Sequence, residues 1–186
     1  MKGQYSLSME SVNISQTRTI VPRLHYSNSL LAKIIDVLKH KKSKAKKSNQ
    51  ILLTEYEDQD PTCTKAIDLE RTVSFSIEIL YYIQKRIDGV SRIDEIPKIF
   101  PSLVPMIRTI SAQLVDIHPE SSQHLSELSV HLGSIVLDSA TITTAQFDFS
   151  QSNVESSLML DEVKLMVDSK INKQYPNLNF FKLCNT

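Results

Sequence analysis

Glycine stands at only three of the 186 positions, 3, 89 and 133. Three isolated glycines exclude the G-x-G-x-x-G and P-loop phosphate cradles, which need several at fixed spacing. They also argue against a many-stranded β fold, whose tight turns draw on glycine. Tryptophan is absent, and Cys63 and Cys184 are the only cysteines. No C-x-x-C pair occurs, so the usual thiolate zinc site and the dithiol redox motif are both missing. Two distant cysteines fit a reducing compartment. No apolar run comes near the roughly 20 residues of a membrane span, and the first twenty residues lack the core of a signal peptide. The chain therefore reads as a soluble cytoplasmic protein whose contact with any membrane is peripheral.

Catalytic patterns are lacking too. There is no G-x-S-x-G elbow and no supported S-x-x-K pattern. The acidic stretch EYEDQD (Glu55 to Asp60) belongs at an exposed tip rather than in an acid/base site. His124, Glu127 and His131 share a helix face, but two turns, roughly 10 Å, separate the histidines, too far for one ion. No enzyme, metal or cofactor is expected.

What the chain does have is one dense cationic block. KHKKSKAKKS places Lys39, Lys41, Lys42, Lys44, Lys46 and Lys47 within nine residues, although the net charge is zero. Residues 1–50 hold ten Lys/Arg against two Asp/Glu, a balance of +8, and residues 51–186 hold eleven against nineteen, a balance of −8. Such segregation points to an electrostatic partner for the first part, or to pairing between the two parts. The block has no arginine and no interleaved aromatic ring, the groups that read or stack on bases. Anionic lipid asks less. Point charges on flexible stems suffice, at about 1 kcal/mol each, so six would give about 6 kcal/mol, or tens of micromolar. A lipid surface is favoured over nucleic acid, with a merely solvated helix face as the bland alternative.

Periodicity predicts an all-α chain. Residues 1–28, rich in Ser, Thr, Asn and Gln and broken by Pro22, read as a flexible arm. A helix capped by Asn28 or Ser29 carries Leu31, Leu38, Ala45 and Leu52 every seven residues, with Ile34, Ile35 and Tyr56 on the same stripe. Lys41 and Lys42 flank the stripe and the other lysines face solvent. After the Asp60 cap and Pro61, a second helix carries Ala66, Val73, Ile77, Leu80, Gln84 and Ile87 and stops at Asp88-Gly89. Each helix has about 26–28 residues, roughly 40 Å, and their short connection makes them antiparallel neighbours.

Proline then punctuates the chain. SRIDEIP reads as a short capped helix or a linker, Pro101 starts a helix that keeps Pro105 in its tolerant first turn, and Pro119 starts another with Leu125, Leu128, Leu132 and Ile135 on one face. Residues 29–137 form the helical core and 138–153 a linker, with a strand at TITTAQFDF as the competing reading. A last helix from Val154 to Tyr175, stopped by Pro176, lies in a terminal segment 154–186. Leu158, Val163, Val167 and Ile171 mark its apolar face.

This layout resembles the ESCRT-III family, and its details resemble the archaeal cell-division branch, the CdvB-type proteins. FPSLVPMIRTISAQLVDIHPESSQHLSELSVHLGSIV (Phe100 to Val136) is similar to that branch's Pro-led helix, its short apolar-Pro-Glu turn (Ile117 to Glu120) and the helix after it. VDSKINKQYPNL (Val167 to Leu178) looks like its closing helix. The resemblance spans roughly residues 29–178. It implies a subunit of homo- and hetero-polymers, assembled with paralogues at the inner face of the cell membrane, at the division site. There the polymers constrict the neck between dividing cells, and an AAA ATPase with an MIT domain remodels them. Lys39 to Lys47 would correspond to the basic first helix, and the last helix to an autoinhibitory or partner-binding element. LMLDEVKLM (Leu158 to Met166) lacks the arginine of the ATPase-recruiting motif, so engagement of the ATPase is expected through a paralogue. The other function carried forward is a basic helical nucleic-acid-binding protein.

Overall fold

The computed structural model describes residues 14–55, 61–146 and 149–176, and the described residues are helical with no strand. The helices are α1 (Ile14–Glu55), α2 (Pro61–Asp88), α3 (Ile96–Leu114), α4 (Pro119–Thr143) and α5 (Phe149–Gln174), with a 3-10 turn at Ile93–Glu95. The expected positions of Tyr56 and the Asp60 cap, the first 13 residues and everything after Pro176, Cys184 included, lie outside the described residues.

The α1–α2 antiparallel hairpin forms as its heptads predict. Leu31, Leu38, Val73, Leu80 and Ile87 are fully buried, and Ile34, Ile35, Ala45 and Ile77 nearly so. Asn28 donates to the Asp88 carboxylate and Asn49 to that of Glu70, which sets the antiparallel register. The beginning of α1 corrects the sequence reading. The helix starts at Ile14, not at Asn28 or Ser29, and runs 42 residues with Pro22 inside it. An interior proline costs about 3 kcal/mol. Ile20 and Leu24, both 0% exposed, offset that at about 1.5–3 kcal/mol each. Leu24 lies one heptad before Leu31, so the stripe extends through the supposed arm. There α1 meets α4. Arg23 pairs with Asp138 and donates to the Ser134 hydroxyl at 2.7 Å, and Tyr26 sits edge-on to His131 at 5.5 Å.

The connection from α2 to α3 is capped by Glu95, whose carboxylate accepts from the amides of Ser91 (2.9 Å) and Arg92 (3.1 Å). Helix α3 then begins at Ile96, not Pro101, which leaves Pro101 and Pro105 in its interior. Each removes one i→i−4 bond. Ile96, Phe100, Leu103, Ile107, Ile110 and Leu114 are completely buried, and that burial keeps the segment helical through the gaps.

Helices α3 and α4 form a second antiparallel pair, closed by serines. Ser111 Oγ donates to the Ser122 carbonyl and Ser122 Oγ to the Ser111 carbonyl, each at 2.8 Å. Small hydroxyl side chains let the two backbones approach while their own polar atoms stay bonded. His118 Nδ1 accepts from the Ser121 amide at 3.2 Å, so this histidine is the N-cap of α4. The expected Leu125–Leu128–Leu132–Ile135 stripe is fully buried.

Within the expected linker over 138–153, α4 extends to Thr143 and α5 begins at Phe149, and no strand forms in the described part of TITTAQFDF. Asp138 and the buried Ser139 continue α4, which ends at Thr144 in the left-handed region (φ 52°). Helix α5 starts five residues before the expected Val154; its first turns bury Ser152 and Ser156, and Ser156 docks on α3. Ser156 Oγ donates to the Ser102 carbonyl at 2.6 Å. The helix ends one residue before the expected Tyr175. Along its length Val163, Val167, Ile171 and Tyr175 join the common core.

Candidate functional site

Ala45 is buried inside the lysine block and holds it on α1 as one more turn of the hairpin. At about 100° per residue, six lysines in nine positions spread around most of the helix circumference, and the structure divides them. Lys39 Nζ lies 5.0 Å from the Tyr81 ring centroid and 3.7 Å from Asp36. Its pKa is raised, first by the hydrogen bond with the Tyr81 side chain and then by Asp36. Lys41 donates to the Ile117 carbonyl in the turn between α3 and α4. Lys42 is half-buried, as expected for a residue beside the stripe. Lys44, Lys46 and Lys47 are exposed and have no ion-pair partner among the described residues. Lys39 is exposed as well, and exposed Lys33 and His40 adjoin these lysines on α1.

The exposed face of α1 also carries apolar groups. Val37 and Ile51, 43% and 56% exposed, stand on the same outward seam as Lys33, His40, Lys44 and Lys47, spaced alternately by four and three residues. A cationic surface with apolar side chains between the charges suits the headgroup–acyl boundary of a bilayer.

Between this seam and the start of α4 lies an open groove of about 720 Å³, walled by Tyr26, Lys33 and Val37 on one side and His118, His124 and Glu127 on the other. Among the described residues no three His, Cys, Asp or Glu side chains converge as metal ligands. His118 serves as a cap, and His131 lies against Tyr26, its pKa lowered by burial and by nearby Arg23.

Sequence reasoning missed a cluster at the far end of the hairpin. Glu70 on α2 is 0% exposed. Its carboxylate accepts from Tyr175 Oη (2.6 Å) and Gln174 Nε2 (3.1 Å) at the end of α5, and from Asn49 Nδ2 (2.8 Å) on α1. Burial, then the bond to Glu70, pushes the Tyr175 hydroxyl up to about 12. Two ion pairs between α2 and α5 flank the cluster, Arg71–Asp168 and Lys170–Glu78, each at 3.1 Å. A signal was present in the sequence. Cys63, Ile67, Glu70, Ser74 and Ile77 follow the four–three spacing of a buried stripe, with a carboxylate and a hydroxyl where apolar groups belong.

Of the four residues assigned to the apolar face of α5, Val163, Val167 and Ile171 are brought together against the core. Leu158 is not. It points outward, 66% exposed, along with Val154 and Leu165. The reason is rotation: Leu158 lies five residues before Val163, about 140° away around the helix. Among the described residues no helix is long and apolar enough to cross a membrane. The chain matches no protein-family model and no solved structure.

Proposed function

We propose that this chain is an ESCRT-III-like subunit that polymerises on anionic membrane and remodels it during cell division. Lipid is met by the outward face of α1, while α5 clasps the hairpin in the unassembled chain. The observation that carries the reading is that face itself: Lys44, Lys46 and Lys47 exposed on a rigid helix, with Val37 and Ile51 exposed beside them. With Lys33 included, four lysines supply about 4 kcal/mol, which corresponds to about millimolar binding per copy. Such a surface works only in arrays, where many weak contacts add, and this is why the polymer belongs to the reading. The long basic α1 and its antiparallel α2 support the likeness to ESCRT-III hairpins. Helix α5 lacks the arginine of the ATPase-recruiting motif, so a paralogue in a mixed polymer would bring the MIT-domain ATPase.

Sedimentation with vesicles tests this. The chain is expected to pellet with phosphatidylserine vesicles at low salt, to be released as salt is raised, and to stay in solution with neutral vesicles. Lys44→Glu, Lys46→Glu and Lys47→Glu together are expected to abolish pelleting with the melting curve unchanged. Equal pelleting of variant and parent defeats the proposal. Tighter binding to duplex DNA than to any vesicle points instead to a basic nucleic-acid-binding protein.

A further inference from the structure

Helix α5 has two faces, and the fold accounts for only one. Opposite its buried face, Val154, Leu158, Asp161 and Leu165 stand in one row, spaced four, three and four, with Glu155 and Glu162 beside it. All six are exposed, Leu165 at 73%. The row is apolar at both ends and acidic in the middle. The outward seam of α1 has the converse composition: Val37, His40, Lys44, Lys47 and Ile51, apolar at both ends and basic in the middle. Helix α4 also exposes Val130 and Leu137, but only His131, Gly133, Ser134 and uncharged side chains lie between them. Among the described residues, the α5 row complements the lysines and the α4 pair does not.

We propose that the outer face of α5 in one copy docks on the lysine seam of α1 in a second copy. This inference rests on the polymer reading and names the surfaces through which copies would associate before they reach the membrane. The two patches differ, so the contact is heterologous and propagates head to tail. The two faces of one chain lie on different helices, and each stays open for another copy when the first is occupied. The α5 row spans about 17 Å at 1.5 Å per residue. A single helix-on-helix contact of that length falls short of the roughly 800 Å² per partner of a standard interface. Each joint is therefore weak and strongly salt-dependent. Lys44 and Lys47 cannot serve lipid and α5 at once, so the contact belongs to chains off the membrane.

Charge reversal tests it, with sedimentation velocity of the full chain at 50 mM and 500 mM salt, a range chosen to span screening lengths of roughly 14 to 4 Å. The unmodified chain is expected to form concentration-dependent species at low salt that dissociate at high salt. Asp161→Lys with Glu162→Lys, and separately Lys44→Glu with Lys47→Glu, are each expected to weaken association at least about tenfold, since like charges are then opposed. All four positions are exposed, and unchanged melting of each variant shows that folding is intact. Combining the four substitutions, or mixing the two double variants, restores opposite charge at every joint and is expected to restore association. If the unmodified chain associates and the reversals leave it unchanged, or if neither combination recovers it, this contact is wrong while the polymer reading stands. If the unmodified chain stays monomeric throughout, this contact is wrong, and the membrane polymer reading is decided separately by sedimentation with vesicles.

Discussion

A buried carboxylate without a cation survives only when hydrogen bonds replace its water. Glu70 has three such donors, one from Gln174, the last residue of α5, and one from Tyr175 just after it. Removing one of them leaves the carboxylate underbonded, at a cost of about 1–3 kcal/mol. Tyr175→Phe is therefore expected to lower the unfolding free energy by that amount, seen as a lower urea midpoint with an unchanged slope. The same hydroxyl makes stability pH-dependent. Its folded pKa of about 12 lies above the ordinary value of 10.0, so the neutral form is favoured by folding. The contribution is complete below pH 10 and is lost as pH rises toward 12, about 2–3 kcal/mol in all. Urea melts from pH 9 to 11.5 are expected to show a steeper decline for the parent than for Tyr175→Phe. Parallel declines would mean that another group titrates in this window.

At the scale of the elements, the first half of α1 separates two pictures of the chain. If residues 14–28 were an unpacked arm, truncating Leu24 would cost nothing. Packed as the structure has it, with Leu24 fully buried, Leu24→Ala is expected to cost about 2–5 kcal/mol. Thermal melts followed by circular dichroism decide between them. The hairpin register has its own check. Leu38→Asp and Leu80→Asp each place a charge in the dry seam between α1 and α2 and are expected to cost about 4 kcal/mol or more. Ser43→Asp, on the exposed side, is expected to stay within about 0.5 kcal/mol. Equal losses for all three would overturn the register.

Across the whole molecule, α5 determines how much of the hairpin is available. Removing the helix would strip the cover from α2 and α3 and invite unspecific aggregation, so point substitution is the better probe. Val167→Asp puts a charge into the seam that α5 shares with the core, where Val167 is 2% exposed. It is expected to loosen the clasp and increase light scattering with phosphatidylserine vesicles relative to the parent. Unchanged or reduced scattering would make α5 a fixed part of the subunit rather than a clasp.

Several features were legible in the linear chain. Helix type, the Pro61 and Pro119 starts, the stop at Asp88-Gly89 and the stripes of α1, α2 and α4 are local matters: side chains repeating every seven residues, and prolines with no amide to donate. The density of the lysine block is likewise a property of composition. The tertiary structure decided what local signals cannot. Pro22, Pro101 and Pro105 are tolerated inside helices because distant residues bury Ile20, Leu24 and Phe100. Lys39 meets Tyr81, and half-buried Lys41 meets the Ile117 carbonyl, both distant in sequence. Glu70 reads as one more surface acid until α1 and α5 close over it. Leu158 reads as core until the rotation of α5 against α2 and α3 is known. In each case a partner far along the chain outweighs the preference of the residue and its neighbours, because burial against that partner is worth more than the local cost.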